Sequence, residues 1–262
     1  MGKLAPLTLN WGIISTGDIS TNFAHHLPID PTSRNTRDVN HKNADKAVRG
    51  ESWAWGVKNG VLDCIKARTT YEEVYSDPDV TVVYVGALHV LHHRNPKDAL
   101  LAGKHVLQKP ACLEVKELDE LSKIAKEKNL LYGVGHLSPL FICPYLYLPL
   151  SPNAVEEVIK SDILGKSRSF SADFSMDVKL DASADSNRMI NLALGGGSLL
   201  DMSAHPSVWA MFLVHRHPLN TDKNPNVLFT HQSIYPGSGV DINSRWLVKW
   251  KGLSGNVDDR FG

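Results

Sequence analysis

The turn Ser15-Thr16-Gly17-Asp18-Ile19-Ser20 joins a short apolar segment (Leu9, Trp11, Ile13, Ile14) to a stretch with helical spacing (Ile19, Phe23, Leu27). A strand that turns into a helix in this way leaves helix N-terminal amides free to hold a phosphate. Of the dinucleotide fingerprint G-x-G-x-x-G/A only the middle glycine, Gly17, is kept. Ser15 and Ser20 hold the outer places and are small enough for close backbone approach. Alone, the pattern suits a tight structural turn as well as a cofactor loop, and its place at the start of a β-α-β run favours the loop. Such a site also expects an acid, or an arginine for a 2′-phosphate, about 20 residues further on. Asp38 to Glu51 contains little apolar sequence for a central strand and offers Arg49, either a 2′-phosphate partner or a solvated surface charge. His89, His92 and His93 cluster without a fourth ligand or carboxylate, which points to a polar pocket wall rather than a metal. Cys64, Cys112 and Cys143 are far apart and include no C-x-x-C pair, so they read as small buried hydrophobes.

Elements that would position these residues alternate through the first half. Val80 to Val85 is apolar and β-branched, as in a parallel strand buried on both faces, and follows a turn at Ser76-Asp77-Pro78-Asp79. Asn95 to Gly103 predicts a short helix with Pro96 in its first turn and a closing glycine. His105 to Leu107 predicts a strand. Val115, Leu118, Leu121, Ile124 and Ala125 mark an amphipathic helix, and Leu130 to Val134 the next strand. This rhythm implies an α/β fold with a doubly wound parallel sheet of Rossmann type.

Near residue 135 the character changes. Val155, Val158 and Ile159 mark a helix ending near Gly165; Phe170, Ala172, Phe174 and Met176 alternate with polar residues as in a half-buried strand. A Gly195-Gly196-Gly197 turn precedes an apolar helix expected over Ser198 to Val214, with Pro206 predicted to bend or restart it. Val227 to Ile234 and Arg245 to Trp250 predict two more strands. A dinucleotide-binding domain (1–135) is thus expected to precede an α+β substrate-binding and oligomerisation domain (136–262) with an open-faced, incomplete sheet.

The 262 residues carry 28 basic and 28 acidic side chains, so no charge imbalance argues for nucleic acid or an anionic membrane as partner. No apolar run reaches the roughly 20 residues that span a bilayer, and no secretory leader is evident, which makes the cytoplasm the expected location.

Four segments, WGIISTGDIS (11–20), VVYVGALHVLHH (82–93), AGKHVLQKP (102–110) and RMINLALGGGSLLDMSAHP (188–206), resemble the Gfo/Idh/MocA oxidoreductases in order and spacing. The likeness is greatest to the NADP-dependent xylose dehydrogenase and dimeric dihydrodiol dehydrogenase branch. The resemblance implies a Rossmann domain and an open-faced sheet that carries a homodimer contact. It also implies hydride transfer between a nicotinamide and a sugar-like or cyclic alcohol. Carried over by residue, Lys109 is the lysine of the family's E-K-P segment, touching substrate and cofactor. Asp201 and, four residues on, His205 are the aspartate and the acid/base group, expected on one helix face. Ser15, Thr16, Gly17, Asp18 and Ile19 would form the cofactor loop, Ala87, Leu88, His89 and His92 the wall beside the nicotinamide. With Arg49 beyond the second strand, NADP is expected over NAD.

The chain departs from the family pattern in several places. Val106-Leu107-Gln108-Lys109-Pro110 is one residue shorter than V-L-C-E-K-P and lacks its glutamate; a loss inside the strand would turn Lys109 to the opposite face, a loss at its end would not. Ala87-Leu88 stands where Thr-Pro is frequent, and the chain is short at its C-terminal end, so an open edge and an exposed apolar face are expected. Two other readings therefore stand beside a dehydrogenase: a redox-silent isomerase, lyase or cyclase, and a non-catalytic ligand-binding protein.

Overall fold

The computed structural model describes residues 9–15, 17, 19–20, 23, 37–40, 65–135, 157–158, 160–161, 163, 169–177, 179–180, 187–217 and 220–250. The chain forms two compact units, Met1–Gly135 and His136–Gly262.

The first unit is built on six parallel strands: β1 (Trp11–Ile14), β2 (Arg37–Asn40), β3 (Ile65–Arg68), β4 (Val82–Val85), β5 (His105–Gln108) and β6 (Tyr132–Val134). Their order is β3-β2-β1-β4-β5-β6, so the winding reverses between β1 and β4. All four residues of β4 are buried, as a central parallel strand requires. Helix α1 (Tyr71–Ser76) starts at Thr70, whose hydroxyl accepts from the Glu73 amide at 3.3 Å, and ends at the foreseen turn. Helix α2 (Arg94–Leu101) has Pro96 in its first turn, and Gly103 beyond its end has φ 83°, where glycine carries no Cβ penalty. Helix α3 (Val115–Glu127) opens with a reciprocal capping box between Glu114 and Glu117. It turns Leu121 and Ala125 into a core shared with Ile14, Val74, Val83, Val85, Leu100 and Val106. Between β4 and β5 the buried Lys104 ammonium donates to the carbonyls of Asp77 (2.6 Å) and Val80 (2.8 Å), tying the turn before β4 to the chain entering β5.

Three expectations need correction in this unit. Val115 does not belong to the buried stripe of α3; it sits in the first turn, 75% exposed. The polar segment judged unfit for a central strand begins with β2, paired in register with both β1 and β3. A parallel ladder is made by backbone groups, and polar side chains do not remove them. β3 and α1 lie between residue 51 and Ser76, where no element was anticipated.

In the second unit, 3₁₀ turns over Arg188–Ile190 and Leu192–Leu194 lead through Gly195 to Gly197 into α4 (Ser198–Asp201). Helix α5 (Ala204–Ala210) follows, then a π-helical turn over Met211–His215. The helix expected over Ser198 to Val214, with a bend or restart at Pro206, is interrupted at Met202-Ser203. Pro206 accounts for the break. It has no amide to offer the Met202 carbonyl, which accepts instead from the His205 amide at 3.0 Å. Strands β7 (Asn226–Ile234) and β8 (Asp241–Lys249) form an antiparallel hairpin. On β8, Trp246 and Val248 are half-buried, while Arg245, Leu247 and Lys249 are exposed, as the alternation foretold. The strand expected over Phe170 to Met176 is absent: residues 169–177 have no ladder, and all but Phe174 are exposed. Alternation specifies which face a strand would bury but supplies no partner for its backbone. Glu157, Val158 and Lys160 are helical, as expected. Among the described residues no helix is long and apolar enough to cross a membrane.

Candidate functional site

In an open parallel sheet a ligand crevice forms beyond the carboxyl ends of the strands where the winding reverses. Here that place is the end of β1 and β4. Ser15, the first residue past β1, has φ 73°, the left-handed region a fingerprint glycine normally occupies. Gly17 is exposed, and a Cβ built on it meets nothing nearer than the Ser15 hydroxyl at 4.0 Å. The fold's own packing does not require glycine there, so the bare backbone leaves an open surface on the crevice side. Gly86, just past β4, is the opposite case: a Cβ would collide with the Ser20 hydroxyl and lie 3.0 Å from Ile19 Cγ2. Its absence lets the helix carrying Ile19 and Ser20 start tight against β4. These features suit a dinucleotide phosphate. Thr16, Asp18 and Arg49, also expected at this site, lie outside the described residues.

Ala87 and Leu88 are half-buried on the loop after β4, and a 3₁₀ turn over His89–Leu91 follows. His92 is fully buried. Its Nε2 lies 3.1 Å from the Ala87 carbonyl and its Nδ1 3.1 Å from Gln108 Oε1 at the end of β5. The Gln108 amide reaches the Tyr132 hydroxyl on β6, and the Cys112 thiol donates to the His92 carbonyl at 3.1 Å. Burial pushes His92 down to about 4, so its ring is neutral at physiological pH. With both ring nitrogens engaged inside the protein, His92 bears on the crevice by holding Ala87 rather than by touching a ligand. His89 is also buried.

Lys109 follows the last ladder residue of β5, its amide donating to the Val85 carbonyl at 3.1 Å. It stands at the same carboxyl edge of the sheet as Ser15 and Ala87. Gln108 is the residue that sequence reasoning missed. Its signal was the glutamate absent from the lysine-proline segment, since a polar residue closing a buried strand must find partners. Among the described residues no cluster of His, Cys, Asp and Glu could hold a metal.

In the second unit, Asp201 ends α4 with its carboxylate largely buried and 3.1 Å from the Arg188 guanidinium. His205 lies in the first turn of α5 and stacks on Phe174, ring centroids 4.4 Å apart at 21°. Asp201 and His205 lie on two successive helices rather than on one continuous helix, and Arg188 is a partner of Asp201 that the sequence did not disclose. Asp201, Phe174 and Pro206 line an open cleft of about 880 Å³ that also meets Asp241, Arg245 and Trp246 on β8. The Asp241 carboxylate accepts from the Ser198 hydroxyl (2.6 Å) and the Leu199 amide (2.7 Å), fixing the start of α4 to the hairpin.

Residues 9–136 match the model of the oxidoreductase family with NAD-binding Rossmann fold, GFO_IDH_MocA. A D-xylose 1-dehydrogenase (NADP(+)) from Hypocrea jecorina is 30% identical over 245 residues, 89% of this chain and 60% of the relative. A trans-1,2-dihydrobenzene-1,2-diol dehydrogenase from Sus scrofa is 30% identical over 204 residues, 76% of this chain and 54% of the relative. Among solved structures, a 3-ketoreductase from Actinomadura kijaniata in complex with NADP and TDP-benzene superposes with a TM-score of 0.68 at 20% identity, covering 94% of this chain and 67% of its own. The last likeness speaks to fold alone. The chain spans little more than half the length of the two curated relatives.

Proposed function

Starting from a chain that belongs to the Gfo/Idh/MocA oxidoreductases through its NAD-binding Rossmann unit, we propose an NADP-dependent dehydrogenase or reductase acting on a sugar-like or cyclic alcohol. The observation that carries this reading is the left-handed Ser15 and the bare, exposed Gly17 beside the β1/β4 crevice. The amides there suit a pyrophosphate, with Ile19 at the helix start and Ala87 and Leu88 as the opposite wall. The nicotinamide, when bound, supplies hydride exchange. The protein's own residues do the rest. The role assigned to His205 is that of base for the substrate hydroxyl, and the role assigned to Lys109 is that of a cation offsetting developing negative charge. Asp201, paired with Arg188, holds the end of α4 just ahead of His205. Titration of both dinucleotides tests the assignment by fluorescence. NADP(H) should bind more tightly than NAD(H). Equal or tighter NAD(H) binding removes the 2′-phosphate from the reading, and failure of both moves it to a redox-silent isomerase, lyase or cyclase.

The same reading includes a homodimer formed through the hairpin. Val227, Leu228 and Phe229 on β7 and Leu247 on β8 are each more than half exposed, an apolar surface that water penalises. Light scattering of the protein should give at least twice the chain mass. A monomer that stays soluble at high concentration would refute the dimer.

A further inference from the structure

Behind the groups that would touch cofactor or substrate, a chain of hydrogen bonds crosses the carboxyl ends of β4, β5 and β6: from the Ala87 carbonyl through the buried His92 and Gln108 to the half-buried Tyr132, with Cys112 closing it against the His92 carbonyl. As placed, both imidazole nitrogens face oxygens. A carbonyl only accepts, so Nε2 must carry a hydrogen toward Ala87. Nδ1 then has two options. It is protonated as well and donates to Gln108 Oε1, which makes the ring a cation. Or it is bare and accepts from a Gln108 amide turned end for end, since amide oxygen and nitrogen are assigned from the network. The first option buries a positive charge with no carboxylate among its hydrogen-bond partners. The charged and titratable groups acting on His92, Lys109 and His89, both oppose that charge. Tyr132 and Cys112, on the far side of Gln108, supply no counter-charge, and Glu117 acts on Cys112. The second option leaves one amide hydrogen without a partner and lets the Tyr132 hydroxyl donate to the Gln108 oxygen. An uncompensated buried cation costs more than one unpaired amide hydrogen, so the neutral arrangement wins.

We infer that His92, Gln108 and Tyr132 form an uncharged hydrogen-bond relay that holds the Ala87 loop at the crevice, with the Ala87 carbonyl requiring a hydrogen on His92 Nε2 and Gln108 the positioning residue that satisfies a bare Nδ1 without bringing a charge. A glutamine at the end of β5 orders His92 without charging it. The crevice wall therefore keeps one protonation state across the physiological range, and Lys109 supplies a cation at this edge of the sheet. A glutamate at the same place, as in the family segment, would face the imidazole with a carboxylate and draw a proton onto it.

The positioning role rests on the proposed cofactor site; the tautomer does not, and the two are read separately. Long-range ¹H–¹⁵N spectra of the ¹⁵N-labelled full chain report the protonation of each imidazole nitrogen. His92 is expected as the neutral Nε2–H form from pH 5.5 to 8 with no titration. In Gln108→Glu its midpoint should rise by roughly 2 pH units or more, and NADPH affinity should acquire a pH dependence that follows the His92 signal. An Nδ1–H tautomer or an imidazolium in the unaltered protein overturns the relay, even if Gln108→Glu does not fold. A relay present by spectrum, with NADPH affinity in a folded Gln108→Glu indifferent to His92 protonation, overturns the positioning role alone. No NADPH binding to the unaltered protein refutes the cofactor reading and the positioning role with it, and leaves the tautomer result standing.

Discussion

His205→Asn should lower turnover by roughly 100-fold or more while leaving NADP(H) affinity unchanged. His205 belongs to the second unit, whereas Ser15, Gly17, Ile19, Ala87 and Leu88, expected to meet the cofactor, belong to the first. Its ring stacks face-on with Phe174, and a stacked imidazole keeps both nitrogens at its edge, where a hydroxyl proton can be taken. Asparagine keeps a polar group there and cannot act as a base near neutral pH. Asp201→Asn should cost less, because the Asp201 carboxylate is paired with Arg188 and holds the end of α4 rather than taking the proton itself. Lys109→Ala should weaken both turnover and substrate binding, since a cation facing the oxygen contributes in ground state and transition state alike. Steady-state kinetics with separate cofactor titrations discriminate these outcomes. Near-normal turnover in His205→Asn eliminates it as the base. If Lys109 proves essential and His205 dispensable, the chemistry is centred on the lysine and need not involve hydride transfer.

How far the sequence foretold this arrangement depended on the kind of signal. β4 was legible because a run of buried β-branched residues has few alternatives to a central parallel strand. Helices α2 and α3 were legible from Pro96, Gly103 and the spacing of Leu121 and Ala125. β2 was not, because Arg37 to Asn40 pairs through backbone groups that side-chain polarity does not report. The Phe170 to Met176 alternation failed in the opposite sense: it describes a face without a neighbouring strand. At the candidate site, Pro206 disclosed the helix break because its missing amide acts locally. The same break puts Asp201 and His205 on two helices, where the spacing inferred for them assumed one continuous helix. The roles of Gln108 and Arg188 were missed because their partners, His92 and Asp201, lie 16 and 13 residues away in the chain.

Gly196→Ala should destabilise the second unit by about 3 kcal/mol, the upper end of what a forced core overlap costs. A Cβ there would lie 2.5 Å from the Arg188 carbonyl oxygen, 2.8 Å from that of Met189 and 2.9 Å from that of Asn191. All three obstacles are backbone atoms, so no side-chain rotation relieves the overlap. They also belong to the turns whose hydrogen bonds define the segment: the Gly196 amide donates to Asn191 and the Gly197 amide to Met189, each at 3.0 Å. Opening the turn to admit a methyl group breaks those bonds, shifts Arg188 away from Asp201 and displaces α4 at its capped start. Gly239 provides the contrast. Its φ of 78° disfavours any side chain, but a Cβ there meets nothing within 4 Å, so Gly239→Ala should cost only about 1–2 kcal/mol from backbone strain. Amide exchange makes the comparison local. In Gly196→Ala, protection should fall through α4, α5 and β8, while β4 and β5, whose core is closed within the first unit, keep theirs. Equal protection of α4 in the two alanine variants would mean that the triple-glycine turn yields without cost, and that its tight packing does not fix the start of the helix ahead of His205.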